Sequence, residues 1–216
     1  DNDERVGPER MVQSGAISPK QMKSAVILTS ILSFISAGFL IYFGAQNMSS
    51  SIIWFYVVLA ILCVIAAITY TVGKRAYGYH GMGDLMVLIF FGFVSVLGVY
   101  SLYSKTFVID MILPALTIGL LSTAVLNLNN MRDYQNDAKS GKNTLVVKMG
   151  PNVAKLYHTT LIIFAISSLG IFISLFQQPL LFVALLPAIM LLIHLRKVMQ
   201  TTDTKQFDPE LSLIHI

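Results

Sequence analysis

The stretch MILPALTIGLLSTAVLNLNNMRDYQND (residues 111–137) runs for 21 residues without an Asp, Glu, Lys or Arg, then gathers Arg132, Asp133 and Asp137 within six positions. A membrane-spanning helix needs about 20 mostly apolar residues. The uncharged part therefore reads as one span, and the charges mark where it leaves the bilayer. The same pattern recurs outward along the chain. Uncharged runs cover Ser24–Gly73, Leu85–Ser104 and Leu156–Leu195. The first and last of these are long enough for two spans each, folded as hairpins at GAQNMSSS (residues 44–51) and QQP (residues 177–179), both rich in turn formers. Six transmembrane helices follow, near Ala25–Phe43, Ile52–Val72, Leu85–Leu102, Ile109–Leu128, Leu156–Phe176 and Leu180–Leu195. The fold class is an all-α, multi-pass helical bundle, because an unpaired backbone group in lipid costs several kcal/mol. A β-barrel would need alternating strands of about ten residues, and the sequence has none.

Composition agrees. Of 216 residues, 55% are hydrophobic and 12% charged, against about 25% charged in soluble domains. When the six spans are threaded in order, every Lys and Arg except Lys105, and every acid except Asp110, falls on one side. The basic excess assigns that side to the cytoplasm of a cell (inner) membrane. The pI near 9.2 thus belongs to membrane-flanking loops and gives no reason to expect nucleic-acid binding. Tyr42, Trp54, Phe55, Tyr56, Tyr100 and Tyr103 read as an interfacial aromatic belt on the opposite side. The single Cys63 lies mid-helix and can form no intramolecular disulfide. His158 and His194, near helix ends, read as interfacial. The chain starts without Met and reads as a fragment. Its expected organisation is one domain over residues 1–210, incomplete at both ends. The tail LSLIHI (residues 211–216) corresponds to what a common sequencing adapter encodes and is expected to carry no structural role.

The positive-inside rule barely concerns carboxylates, so the acids on the charged side need another reason. Asp133 and Asp137 are four apart, which on a helix places both carboxylates on one face, about 6 Å apart along the axis. Asn129 and Asn130 lie a turn earlier. All four offer oxygen, and Mg²⁺ prefers one or two carboxylates, several waters and phosphate oxygens. The site has no Cys and no His pair close in sequence, which disfavours zinc. Arg132, Lys139 and Lys142 stand alongside, and such a mixed cluster suits a metal–phosphate complex. By itself D-x-x-x-D fits a solvated helix end with i,i+4 charge pairing better than a metal site. Two further loops favour the site. DNDERVGPERMVQSGAISPKQ (residues 1–21) carries Asp1, Asp3 and Glu4 with Arg5 and Arg10. YTVGKRAYGYHGMGD (residues 70–84) sets Lys74 and Arg75, also readable as snorkelling cations, among glycines that let backbone approach a ligand.

At these residues the sequence resembles the UbiA superfamily of intramembrane aromatic prenyltransferases. That family's second aspartate motif reads N-x-x-R-D-x-x-x-D followed by G-K-x-T-L; here it is NNMRDYQNDAKSGKNTL (residues 129–145). Its first motif ends in an Asp, an Arg-rich stretch and S-G-x-I-S; here that end is Asp1 and ERVGPERMVQSGAIS (residues 4–18). DNDERVGPER and YHGMGDLMVLIFFG (residues 79–92) resemble the branch acting on 1,4-dihydroxy-2-naphthoate. The resemblance covers the chain to about Glu210. It implies a nine-helix fold of which these six spans are the third to eighth, with the first two helices, most of motif one and the last helix outside this sequence.

The resemblance implies a Mg²⁺-dependent enzyme that transfers a polyprenyl group from polyprenyl diphosphate to 1,4-dihydroxy-2-naphthoate with decarboxylation, yielding demethylmenaquinone in the lipid bilayer. Asp133, Asp137 and Asp1 become the catalytic, metal-holding acids, with Asn129 and Asn130 as further ligands. Arg132, Lys142, Arg10, Arg5 and Lys74 become diphosphate contacts. Tyr77, His80 and Asp84 become candidates for the aromatic acceptor. Other branches of the family, with a hydroxybenzoate, homogentisate or haem acceptor, are the nearest alternatives. An ion-coupled transporter would place charges near the bilayer midplane, where this chain has none. A CDP-alcohol phosphotransferase would need D-G-x-x-A-R, which is absent.

Overall fold

A computed structural model describes residues 11–73, 76–203 and 206–214, the last three as backbone only. Among these residues there is no strand. Six helices are long and apolar enough to cross a membrane: α1 (Pro19–Gly44), α2 (Ser50–Thr69), α3 (Gly83–Ser104), α4 (Ile109–Arg132), α7 (Pro151–Phe176) and α8 (Pro179–Gln200). Three short helices occupy the charge-rich end: α5 (Tyr134–Lys139), α6 (Leu145–Met149) and α9 (Phe207–Ile214). The protein is an integral membrane helical bundle, with the six spans where the uncharged runs placed them.

Local chemistry sets the boundaries. α1 begins six residues before the predicted Ala25, because Ser18 and Gln21 close a reciprocal capping box and Pro19 occupies the first turn. Asn47 takes a left-handed φ of 67° in the turn between α1 and α2. Lys105 (φ 61°) ends α3 in the same way, and its ammonium reaches the Gly44 carbonyl. Thr144, within the G-K-x-T-L stretch, caps α6 by accepting from the Val147 N–H at 3.2 Å.

α4 is the hub, packed chiefly on α7 and α3. Lipid tails are as apolar as Leu, so spans associate through close packing and polar bonds. Both occur here. Ala115, Ala124, Ala154 and Ala165 are fully buried. Ser168 Oγ donates to the Leu113 carbonyl at 2.8 Å, joining α7 to α4. Gly92 of α3 meets Gly119 of α4 so closely that a Cβ on Gly92 would lie 2.7 Å from the Ala115 oxygen and the Gly119 Cα. The middle of α3, Leu88–Val94, is π-helical, a local widening with no hydropathy signature.

At the charge-poor end, Tyr42, Trp54, Phe55 and Tyr103 are exposed, as a belt requires. Tyr56 is not part of it. It is 5% exposed and its hydroxyl meets Ser101 Oγ and the Gly98 carbonyl. Helix phase, which a list of aromatics near a boundary ignores, turns this ring inward. The histidines are a second correction. His158 and His194 are fully buried, with Nε2 atoms 2.9 Å apart. At the charge-rich end Leu128, Met131, Val146, Ala154, Val198, Phe207 and Leu211 form one core cluster. α9 is therefore packed onto the bundle, Leu211 included.

Candidate active site

The D-x-x-x-D stretch straddles a helix break. α4 ends at Arg132. Asp133 lies between helices (φ −89°, ψ 7°), and α5 restarts at Tyr134. The Asp137 N–H still donates to the Asp133 carbonyl at 2.8 Å, so the i,i+4 relation survives the break. Asp133 is 7% and Asp137 3% exposed. Such burial is opposite to the solvated helix end that the spacing alone allowed.

A buried carboxylate needs a partner, and each has a cation. Arg132 Nε and one terminal nitrogen donate to the two Asp133 oxygens at 2.9 and 3.1 Å. The same terminal nitrogen reaches Asn129 Oδ1 at 2.5 Å, and the other donates to Asp208 at 2.9 Å. Lys142 Nζ lies 3.0 Å from Asp137 Oδ2. Asn130 is buried one turn above Asp133.

The loop before α3 joins this cluster. The Asn143 N–H donates to the Tyr79 carbonyl at 3.0 Å, and Lys148 Nζ to the His80 carbonyl at 2.7 Å. Gly78 serves a protein contact here, since a Cβ there would fall 2.7 Å from the Tyr70 carbonyl oxygen. Tyr77 packs edge-on against Tyr70 at 5.4 Å and donates to the Ala66 carbonyl at 2.7 Å. Burial pushes its phenol above the ordinary value. His80 is exposed, with Nδ1 2.9 Å from the Ala76 carbonyl. Asp84 is 5% exposed at the start of α3. Its Oδ1 is buried without a hydrogen-bond partner, and Tyr157 of α7 stands within its electrostatic reach. Tyr70 stands within the electrostatic reach of both Asp84 and Asp137. Below this rim an apolar cavity of about 490 Å³ opens between α2 and α3, lined by Cys63, Ala66, Tyr77, Met86, Phe90 and Phe91 among others.

The structure thus assembles Arg132, Asp133, Asp137, Lys142 and Asn129 into one cluster, with Asn130 beside it. It sets Tyr77 in the wall of the cavity, buries Asp84 next to the lining residue Gly83, and leaves His80 on the surface. Asp1, Arg5, Arg10 and Lys74 lie outside the described residues. Sequence reasoning did not single out Tyr157, which looks like any span aromatic, or Asp208. It also passed over Asn127, fully buried with both side-chain polar atoms unpaired. Asp208 had one available signal, an acid after the last span on the charge-rich side.

Residues 1–209 match the model of the UbiA prenyltransferase family. The chain belongs to this family. Over 162 residues, 75% of the chain, it is 48% identical to the 1,4-dihydroxy-2-naphthoate octaprenyltransferase of Haemophilus influenzae, covering 52% of that protein. It is 41% identical over 213 residues, 98% of the chain, to the enzyme of that name from Escherichia coli K12, covering 68% of it. A human relative, UbiA prenyltransferase domain-containing protein 1, is 31% identical over 90 residues, which are 42% of this chain and 27% of that protein. The chain therefore spans about half to two thirds of the length of these two bacterial UbiA relatives.

The family implies a divalent metal. Among the described residues no group of three or more His, Cys, Asp or Glu is placed to hold one. Two carboxylates with amide oxygens nearby nevertheless fit Mg²⁺, which binds through one or two carboxylates and keeps its waters or takes phosphate oxygens. Each Asp133 oxygen accepts one bond from Arg132 and retains a lone pair.

Proposed function

We propose that the protein carrying this chain transfers a polyprenyl group from its diphosphate to 1,4-dihydroxy-2-naphthoate, with loss of CO₂, in menaquinone biosynthesis. The observation that supports the reading is a buried, cation-backed carboxylate pair at the charge-rich end of the bundle, in a chain that also holds an apolar cavity between α2 and α3. The names of the two bacterial relatives supply the acceptor.

Asp133 and Asp137 would hold Mg²⁺, together with amide oxygen from Asn129 or Asn130, and Asp1 would belong to a second metal position. When bound, the metal supplies Lewis-acid neutralisation of the departing diphosphate. Lys142 pairs with Asp137 through one N–H and has two more to offer phosphate oxygens. Arg5, Arg10 and Lys74 are the further diphosphate contacts. Arg132 spends four of its five N–H groups inside the protein, so its main part is to hold Asp133. The cavity between α2 and α3 takes the start of the apolar tail, and Phe90 and Phe91 direct it toward lipid. The allylic C–O bond breaks and pyrophosphate leaves with the electron pair. The allylic carbon then bonds the ring carbon bearing the carboxylate. CO₂ departs, and its bonding electrons restore the aromatic ring, giving the quinol form of demethylmenaquinone. The apolar walls keep water from the allylic cation. Asp84, whose Oδ1 has no partner within the protein, accepts a hydrogen bond from an acceptor hydroxyl, with Tyr77 beside it and His80 at the loop surface. The charge-rich end faces the cytoplasm, following the basic excess.

The test uses membranes containing the complete protein, supplied with dihydroxynaphthoate, a polyprenyl diphosphate and Mg²⁺. A lipid-soluble prenylated naphthoquinol is expected, and chelator should abolish it. Hydroxybenzoate or homogentisate serving as well as dihydroxynaphthoate would move the protein to another branch. No prenylated product from any acceptor would overturn the reading.

A further inference from the structure

We infer that Asp208, beyond the last span, is a positioning residue of the diphosphate site: it holds Arg132, which in turn orients Asp133. The inference rests on the reading above, in which Asp133 and Asp137 bind a divalent cation.

Four of the five Arg132 N–H groups are engaged, with two bonds to Asp133, one to Asn129 and one to Asp208. The first three bonds go to residues within three positions of Arg132, which move with it. Asp208 comes from a different element, α9, and fixes the far end of the fork. It also takes a share of the guanidinium charge that would otherwise fall on Asp133 alone and weaken that carboxylate as a metal ligand.

α9 is anchored well enough to act as this support. Phe207 is 2% exposed in the core cluster with Leu128 and Met131. On the other side of Asp208, Glu210 Oε2 accepts from His194 Nδ1 at 2.8 Å, and Oε1 lies 3.2 Å from Lys197 Nζ. His194 in turn meets His158 at 2.9 Å. A polar line thus runs from α7 through α8 to α9 and ends at Glu210, two positions beyond Asp208.

The experiment titrates Mn²⁺ into the complete protein in nanodiscs, read by electron paramagnetic resonance, with and without inorganic pyrophosphate. Changes to groups that orient metal ligands usually weaken metal affinity about 10- to 100-fold. The Asp208 side chain is 52% exposed, so water screens it, and Asp208→Asn should fall near the low end, about tenfold. Asp208→Glu should recover most of that loss. The thermal midpoint of Asp208→Asn should barely move, since a half-exposed ion pair contributes little to stability. In turnover, KM for the prenyl diphosphate should rise while KM for the naphthoate stays put. Unchanged Mn²⁺ affinity in Asp208→Asn overturns the inference. So does tighter pyrophosphate binding, which would make Asp208 a restraint on Arg132, and so does a variant that fails to fold, which would make its role structural. A wild-type protein that binds no Mn²⁺ overturns the metal-site reading as well, so the two failures are distinguishable.

Discussion

Replacing Asp133 with Asn should produce two separable effects. The first is on stability. The Arg132 and Asp133 side chains are only 5% and 8% exposed, so the change leaves a buried guanidinium without its bidentate anion. Removing one partner of a buried ion pair costs about 3–5 kcal/mol. Asp208 still accepts from the far end of the fork, which places the expected cost at about 3 kcal/mol, the lower end of that range. The second effect is on chemistry. Losing one preorganised electrostatic group at a developing charge lowers turnover about 100- to 1,000-fold. The assay is prenyl transfer by the complete protein in detergent or nanodiscs, well below the thermal midpoint of the variant, with the folded fraction measured on the same sample. The expected result is a lower midpoint together with at least about 100-fold lower turnover per folded molecule. Near-normal turnover per folded molecule would refute the reasoning and make the Arg132–Asp133 pair a structural feature of the helix break.

Gly119→Leu should lower the thermal midpoint by overpacking, at about 1–3 kcal/mol, because a Cβ there already falls 2.7 Å from Leu88 Cδ1 and 3.0 Å from the Gly92 Cα; a midpoint equal to wild type would show that α3 and α4 separate freely. Tyr77→Phe should cost about 1 kcal/mol through the lost bond to the Ala66 carbonyl and keep turnover within a few-fold. The Tyr77 phenol is pushed up by burial, so folding favours its protonated form. Its contribution should be fully present below the unfolded value of about 10 and be lost as pH rises from there through the higher folded value, visible as a wild-type minus Phe difference in denaturant midpoint that is flat from neutrality to about pH 10 and falls above it.

The number and order of spans were legible because hydropathy is summed over about 20 residues and tolerates local error. Runs between charges placed all six. Single-residue orientation was not legible, because it depends on helix phase against a particular neighbour. Tyr56 was grouped with Trp54 and Phe55 by its position along the axis, yet it turns inward to Ser101. His158 and His194 are 36 residues apart and sit near the ends of different spans. No local signal says that α7 and α8 bring their rings within 5.2 Å of each other. The π-helical segment at Leu88–Val94, which packs on α4, likewise has no signature in the hydropathy of its residues.

The candidate site divides in the same way. NNMRDYQND displayed its carboxylates and its arginine, and the spacing stated that Asp133 and Asp137 share a face. Which cation serves which acid was not stated. Arg132 could have been a free grip for phosphate, as its type and place suggest. Its actual partners, one of them 76 residues away at Asp208, make it a support. The reason is energetic. On the proposed reading the carboxylates are buried to keep water from the chemistry, and a buried carboxylate needs a cation held against it. A guanidinium that holds Asp133 this firmly has little left for the substrate. In the proposed reaction the cations that grip phosphate then come from elsewhere. That gives Lys142, which spends one N–H on Asp137 and keeps two for a phosphate, a larger part than its place in the G-K-x-T-L stretch alone would suggest.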